Sequence, residues 1–370
     1  MGPLDYYRQF EAMTEEEVNV GKRAEAAERR ARALARVEPL DLARTTWPEY
    51  PAAVVVNAIT FAARRGMHRY LDRHSTELRS ELAHRHEVPA GRLVVGDGCA
   101  QLLSSAAIAL LEDGDELITP WPSYPLYPLM ARAARGHAVP VPGFSVSTIL
   151  AAVNDRTRIV TVCNPNDPTG EFLTAGQLDE LLAALPERVV VLLDEALRDY
   201  VADEPVDATL GLLDKHPRLL IFRTFSKAWG LAGLRVGYAL GGPGAEPLLE
   251  RLEPQLGVNE LAQAGALEAL RTTGAVASLR GAEIASLRNR LSDGLGELGY
   301  DVTPSQANVV WVAAPDGIGG GELAARLERL GVVVAGGGPL GEAERVRMTV
   351  PHRPELVERV LRAAELALAG

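Results

Sequence analysis

The sequence predicts an α/β protein: a mostly parallel sheet covered by helices on both faces, followed by a smaller α+β C-terminal domain. Three observations lead there. From about residue 52 to 240, helical stretches alternate with short β-rich runs, the order of elements that builds parallel sheets. Turn-forming and charged residues gather where those runs end, the place where ligands bind in such sheets. After residue 245 the texture changes to long helical stretches and then short strands. On that pattern the chain divides into an N-terminal helix or arm over 1–48, a large domain over 49–262 and a small C-terminal domain over 263–370.

Taken in order, residues 15–37 are charged and alanine-rich, with acids early and arginines late. That gradient complements a helix dipole and predicts an exposed helix. Residues 46–53 carry two prolines and two aromatics and read as a linker or a pocket wall. Strands are expected at Arg92–Val95, Glu116–Thr119, Ala138–Val141, Arg158–Cys163, Val189–Leu193, Leu219–Phe222 and Val236–Leu240. The segments at their ends, Gly96 to Gly98, Pro120 to Tyr127, Asn164 to Gly170, Asp194-Glu195 and Thr224 to Lys227, are placed to line one pocket. Helices are expected over 245–272 and 275–298, strands near Val309–Val312, Val332–Val334 and Val346–Val350, and a last helix over Pro354–Ala369. The glycine clusters at 317–321 and 336–338 lack phosphate-loop spacing and a following Lys-Ser/Thr, and read as loops.

Composition narrows the function. The 370 residues carry 49 acidic against 38 basic side chains, a net charge of −11, which argues against nucleic acid or an anionic membrane as the main partner. No apolar run approaches membrane-spanning length. Glu11, Glu15, Glu16 and Glu17 stand where a signal peptide needs a basic end and an apolar run, so a cytoplasmic protein is expected. Cys99 and Cys163 form no Cys-x-x-Cys pair, and His68, His74, His84 and His86 have no convincing metal-ligand spacing.

The chemistry concentrates in residues 223–238. Lys227 follows an apolar strand, stands between hydroxyls and an arginine, Arg235, eight positions later, and is trailed by Gly230 and Gly233. This suits an amine that reaches a bound carbonyl beside a phosphate, with Ser226 and Arg235 on the phosphate and Lys227 forming a Schiff base. Asp194 ends a buried-looking strand, where a carboxylate is costly unless something positive pairs with it, as a protonated pyridine nitrogen would. Taken one at a time, these features also read as a surface lysine, a helix N-cap and a turn.

Together, Asn-Pro-Asn-Asp-Pro-Thr-Gly (164–170), Asp-Glu-Ala (194–196) and Ser-Lys-Ala-x-Gly-Leu-Ala-Gly-Leu-Arg-x-Gly-Tyr (226–238) resemble the fold type I, aspartate-aminotransferase-like, pyridoxal-phosphate enzymes. The nearest branch is that of histidinol-phosphate aminotransferase, with threonine-phosphate decarboxylase as a relative. The resemblance runs from about Tyr70 to the C-terminus. It implies that Lys227 is the Schiff-base lysine and moves the proton between substrate Cα and cofactor C4′. It implies a phosphate held by Thr224, Ser226, Arg235 and the backbone amides of Cys99 and Ala100 at a helix start. Tyr124 would stack on the pyridine ring, Asp194 would meet its nitrogen, and Arg347 would meet the substrate's anionic group. Tyr70 would reach the phosphate in a neighbouring subunit, which implies a homodimer with shared active sites.

Three departures qualify that pattern. The family's asparagine before Pro-Thr-Gly, a donor to the cofactor's phenolic oxygen, is Asp167 here, and a tyrosine that also serves that oxygen is Leu197. A carboxylate accepts but does not donate unless protonated, and its charge favours the protonated imine; Asn164 or Asn166 is the alternative donor. Histidinol-phosphate enzymes carry a further arginine where this chain has Ala335, and their Asn-Glu-Asn-Pro segment is replaced by Arg44-Thr45-Thr46-Trp47-Pro48. The expected substrate is therefore an α-amino acid with its carboxylate on Arg347, not histidinol phosphate. The expected reaction is transamination with an oxo acid. The competing expectations are a decarboxylase, lyase or oxidase of the same fold, and a non-catalytic sensor that retains it.

Overall fold

The computed structural model describes residues 38–369 except Asp316, together with Val20, Arg23 and Ala24. The helix expected over 15–37 lies outside the described residues apart from Val20, Arg23 and Ala24, which are helical. In chain order the first half comprises β1 (Leu40–Asp41), α1 (Ala53–Gly66), α2 (Thr76–Arg85), β2 (Leu93–Gly96), α3 (Cys99–Leu110), β3 (Glu116–Trp121), α4 (Leu126–Ala133), β4 (His137–Pro142), α5 (Val146–Ala152), β5 (Thr157–Cys163), α6 (Ala175–Ala184) and β6 (Val190–Asp194). The second half adds β7 (Leu219–Thr224), β8 (Gly237–Gly241), α7 (Glu246–Leu252), α8 (Glu260–Thr272), α9 (Val276–Glu297), β9 (Asp301–Val302), β10 (Val309–Ala313), α10 (Gly320–Arg329), β11 (Val332–Val333), β12 (Ala335–Gly336), β13 (Arg345–Thr349) and α11 (Pro354–Leu368).

Seven strands form the main sheet in the order β2-β8-β7-β6-β5-β3-β4. Within it β8 runs antiparallel to both its neighbours, and the β7–β6–β5–β3–β4 pairings are parallel. Each expected strand of the large domain is present. Their runs are apolar almost throughout because both faces are covered: Val191, Leu193 and Ile221 pack into one core, while Leu192, Leu220 and Phe222 pack into the other. This is the two-residue alternation of a strand. Side chains also set helix starts, as where Thr174 and Gln177 form a reciprocal capping box on α6.

A second sheet, β12-β13-β10-β9, packs with α9, α10 and α11 around its own core, centred on Val309, Val310 and Met348. The segment after residue 38 joins this side, because β1 pairs in parallel with β11. The single helix expected over 245–272 is two helices. Pro254 and Gly257, the latter at φ 76°, break it, and the Asn259 side chain then caps α8 by accepting from Ala262 N at 2.9 Å. Among the described residues no helix is long and apolar enough to cross a membrane, and no cluster of His, Cys, Asp and Glu could hold a metal ion.

Candidate active site

The strand ends of the main sheet and the β13 side of the second sheet enclose a cavity of about 410 Å³. Every site residue expected from the sequence lines it except Tyr70. Tyr70 stands fully exposed at 103% on the surface after α1.

At one end of the cavity, lined by Cys99 and Ala100, α3 begins at Cys99 with Gly98 as its N-cap, and among the described residues no side chain caps it, an arrangement suited to an anion. Gly98 has φ 85°, and a β-carbon there would lie 2.8 Å from Arg235 Nη2. The guanidinium and the helix start thus converge on one point. Arg235 itself adopts φ 56°, an uncommon conformation for a non-glycine residue. Its Nη1 donates to Ser226 Oγ at 3.4 Å, and Thr224 Oγ1 accepts from Ser226 N at 3.1 Å. Gly237 sits against this cradle, where a β-carbon would meet Cys99 N at 2.7 Å.

At the opposite end, Asp194 is buried and forms no ion pair among the described residues. Its Oδ2 accepts from Tyr127 Oη at 2.9 Å and its Oδ1 from Ala196 N at 3.0 Å. Burial raises its carboxyl above the ordinary aspartate range, against the pull of those two donors and of the Lys227 charge. A buried carboxylate of this kind is stabilised by a cation placed in the cavity. Tyr124 lines the wall between, its ring edge-on to Tyr127 at 5.8 Å and 80°.

Lys227 Nζ hydrogen-bonds Thr45 Oγ1. Burial pulls its ammonium below the ordinary lysine range, Asp167 and Asp194 oppose this, and Arg347 reinforces it. Asp167 is itself committed: Arg347 Nη1 donates to its Oδ1 at 2.6 Å, with only 12% and 11% of the two side chains exposed. Arg347 Nη2 donates to Ala43 O at 2.6 Å, and its Nε is buried with no partner among the described residues.

The alternative phenolic-oxygen donors are already used. Asn164 Nδ2 donates to Leu173 O at 2.8 Å, and Asn166 Nδ2 donates to Pro122 O and Thr169 Oγ1 at 2.8 Å each. Both brace the loop, and neither lines the cavity. Glu195 is structural, as it faces away and accepts from Arg223 Nε at 2.9 Å and Thr209 Oγ1 at 2.7 Å.

The sequence model of the family described as "Aminotransferase class I and II" matches residues 37–363. This chain belongs to that family. The aminotransferase is 37% identical over 330 residues to an aromatic amino acid aminotransferase of Corynebacterium efficiens, covering 88% of this chain and 91% of the relative. It is 36% identical over 318 residues to histidinol-phosphate aminotransferase 1 of Nitrosococcus oceani, covering 85% of each. Among solved structures it is similar to histidinol-phosphate aminotransferase from Sinorhizobium meliloti in complex with pyridoxal-5'-phosphate, with a TM-score of 0.79, 26% identity, and coverage of 92% of this chain and 94% of that one. The fold is that of the type I enzymes.

Three residues at or behind the cavity wall are not nominated by motif reading. Tyr127, the donor to Asp194, stands three positions after Tyr124, and that helical spacing was a usable signal. Cys163 is the last residue of β5 and lines the wall. Thr45 meets Lys227 from 182 positions away; its segment is marked as a departure from the family, but nothing local foretells that contact.

Proposed function

We propose that this aminotransferase holds pyridoxal phosphate in the cavity and transfers the amino group of an α-amino acid, aromatic ones included, to an oxo acid. The observation that carries the reading is the placement of three groups around one cavity. These are the Lys227 amine, the unpaired buried carboxylate of Asp194, and the uncapped helix start beside Arg235. That set fits a phosphorylated aromatic aldehyde with a basic ring nitrogen. The backbone N–H groups of Cys99 and Ala100, with Thr224, Ser226 and Arg235, would hold the phosphate. Asp194 would keep the ring nitrogen protonated, and Tyr124 would lie on the ring.

When bound, the cofactor carries the amino group at its aldehyde carbon and takes up the electron pair left at the substrate Cα. Lys227 would supply the amine that holds the cofactor and would take the proton from substrate Cα. Its lowered pKa keeps more of it neutral, as both tasks require. Asp167 can accept but not donate in its ionised form, and its contact with Arg347 places that charge on the substrate side of Lys227.

Aromatic acceptance rests on relatives named aromatic amino acid aminotransferases. The replaced Arg44 to Pro48 segment and Ala335 weigh against histidinol phosphate. A homodimer with Tyr70 reaching the partner's cofactor phosphate is part of the same proposal, supported by the exposure of Tyr70 together with Met67 at 77% and Phe61 at 61%.

The test is turnover of the cofactor-loaded protein with phenylalanine, tyrosine or histidinol phosphate as donor and 2-oxoglutarate as acceptor, with sedimentation velocity for the dimer. Transfer from the aromatic donors is expected, and Lys227→Ala is expected to lower it by about 1,000-fold or more. Carbon dioxide release or oxygen uptake without need of the oxo acid would overturn the reaction assignment.

A further inference from the structure

We infer that Trp47 and Arg280 are positioning residues for Lys227: together they clamp the turn that follows it and tie that turn to the segment carrying Thr45 into the cavity wall. The inference rests on reading Lys227 as the reacting amine. Neither Trp47 nor Arg280 lines the cavity, so the contacts that carry the inference lie outside the space a cofactor or substrate would fill.

Arg280, in the first turns of α9, reaches the turn directly. Its Nη1 donates at 2.8 Å to the carbonyl of Ala228, the residue after Lys227. The turn itself is closed by Gly230 N donating to Lys227 O and Leu231 N to Phe225 O, both at 2.9 Å. Gly230 adopts φ 73°, a conformation that favours glycine, and a β-carbon there would stand 3.0 Å from Arg280 Nη1 and 3.5 Å from the Trp47 ring. Both side chains therefore lie against this backbone. The root of Arg280 is held firmly, because a β-carbon on the next residue, Gly281, would lie 2.0 Å from Asp199 O.

The indole is the other half of the clamp. The Arg280 guanidinium carbon lies 4.2 Å from the centroid of the Trp47 ring, within the range of a cation–π attraction, which strengthens as the cation loses water. Burial pulls the Arg280 guanidinium below its ordinary range, and Glu49 opposes this. Trp47 meets His352 edge-on at 5.9 Å and 62°, and Glu49 accepts from Arg353 Nη2 at 3.1 Å. Two positions before the ring, Thr45 lines the cavity with Lys227. One stack thus joins α9, the residues after β13, the Thr45 segment and the Lys227 turn. A lysine that serves first as the cofactor's tether and then as a base has to move its side chain, and a backbone gripped from outside the cavity keeps its reach constant.

The experiment compares Arg280→Gln, Trp47→Leu and the double variant with the wild-type holoenzyme. The readouts are amino transfer from phenylalanine to 2-oxoglutarate and hydrogen exchange followed by mass spectrometry. Each single variant is expected to lower kcat about tenfold while moving KM less than about twofold, and to speed exchange in the peptide over 225–231 while leaving β5 unchanged. The double variant is expected to lose little more than the worse single one, because both substitutions open the same clamp. Arg280→Lys keeps a charge over the ring and Trp47→Phe keeps a ring face; each is expected to lose only about threefold, and these two decide the question where a truncation does not fold. A kcat equal to wild type, or single losses that multiply in the double variant, overturns the inference. A wild-type holoenzyme that transfers no amino group overturns the reading of the cavity, and the inference with it.

Discussion

Replacing Tyr127 by phenylalanine removes one proton donor from the carboxylate proposed to hold the cofactor's ring nitrogen and changes almost nothing else. The ring, carried on α4, is fully buried in the core shared with α3, and phenylalanine keeps its volume. What is lost is the bond to Asp194 Oδ2 at 2.9 Å. Hydrogen bonds to ionised groups contribute about 1.5–3 kcal/mol, roughly a ten- to hundredfold change in an equilibrium constant. The sign follows from the surroundings of Asp194: burial raises its pKa, and the Tyr127 bond lowers it. Tyr127→Phe therefore raises it further, and Asp194 holds its proton to higher pH. Only the ionised form attracts a cationic ring nitrogen. Cofactor affinity should fall most on the acid side and recover as pH rises, with the acid limb displaced upward relative to wild type. The assay is the pyridoxal phosphate dissociation constant from about pH 5 to 9, by fluorescence quenching, with circular dichroism to show the fold intact. An acid limb that does not move, or a loss equal at every pH, refutes the coupling of Tyr127 to Asp194.

Gly237→Ala should damage the same site from the phosphate side. Its β-carbon would meet Cys99 N at 2.7 Å and Gly98 C and Arg223 O at 3.0 Å, all backbone, so a loss of about 1–3 kcal/mol in urea unfolding is expected, with weaker binding of pyridoxal phosphate. Asp199→Asn should stabilise the protein at neutral pH, because burial raises that carboxyl to about 6. The folded state holds the proton more tightly than the unfolded one, so wild-type stability falls as pH rises from about 4 to 6. Thermal unfolding should show the variant's gain at pH 8 and none near pH 4. Asn166→Ala removes the bonds to Pro122 O, Thr169 Oγ1 and Ser123 Oγ. It should cost about 2–3 kcal/mol and, by loosening the loop that carries Asp167, alter KM for the amino donor.

The main sheet was legible because its physics is local. Strands buried on both faces leave continuous apolar runs such as Val190 to Leu193, and ligand-facing ends leave Gly, Asn and Asp just beyond them. The break between α7 and α8 was equally local, and Pro254 with Gly257 carried it in plain sight. The contacts that define the substrate side were not legible. Thr45 meets Lys227 across 182 positions, and Asp167 meets Arg347 across 180. Periodicity carries no information about such pairs. Motif spacing could nominate Asp167 and Arg347 separately, but not foretell that each would occupy the other.

Because β8 turns back antiparallel onto β7, Lys227 and Arg235 belong to one hairpin. Thr224 pairs with Gly237, and Phe225 N donates to Val236 O at 3.2 Å, so a backbone clasp fixes the separation of Lys227 from Arg235. Among the described residues no comparable clasp joins Lys227 to Arg347, which reaches the cavity from β13 and contacts Asp167 and Ala43 O. A hinge displacement of one sheet against the other would therefore leave the cofactor's seat undisturbed while stretching that ion pair. Asp167 and Arg347 tie one sheet to the other across the cavity, and a displacement that opens it has to break that ion pair.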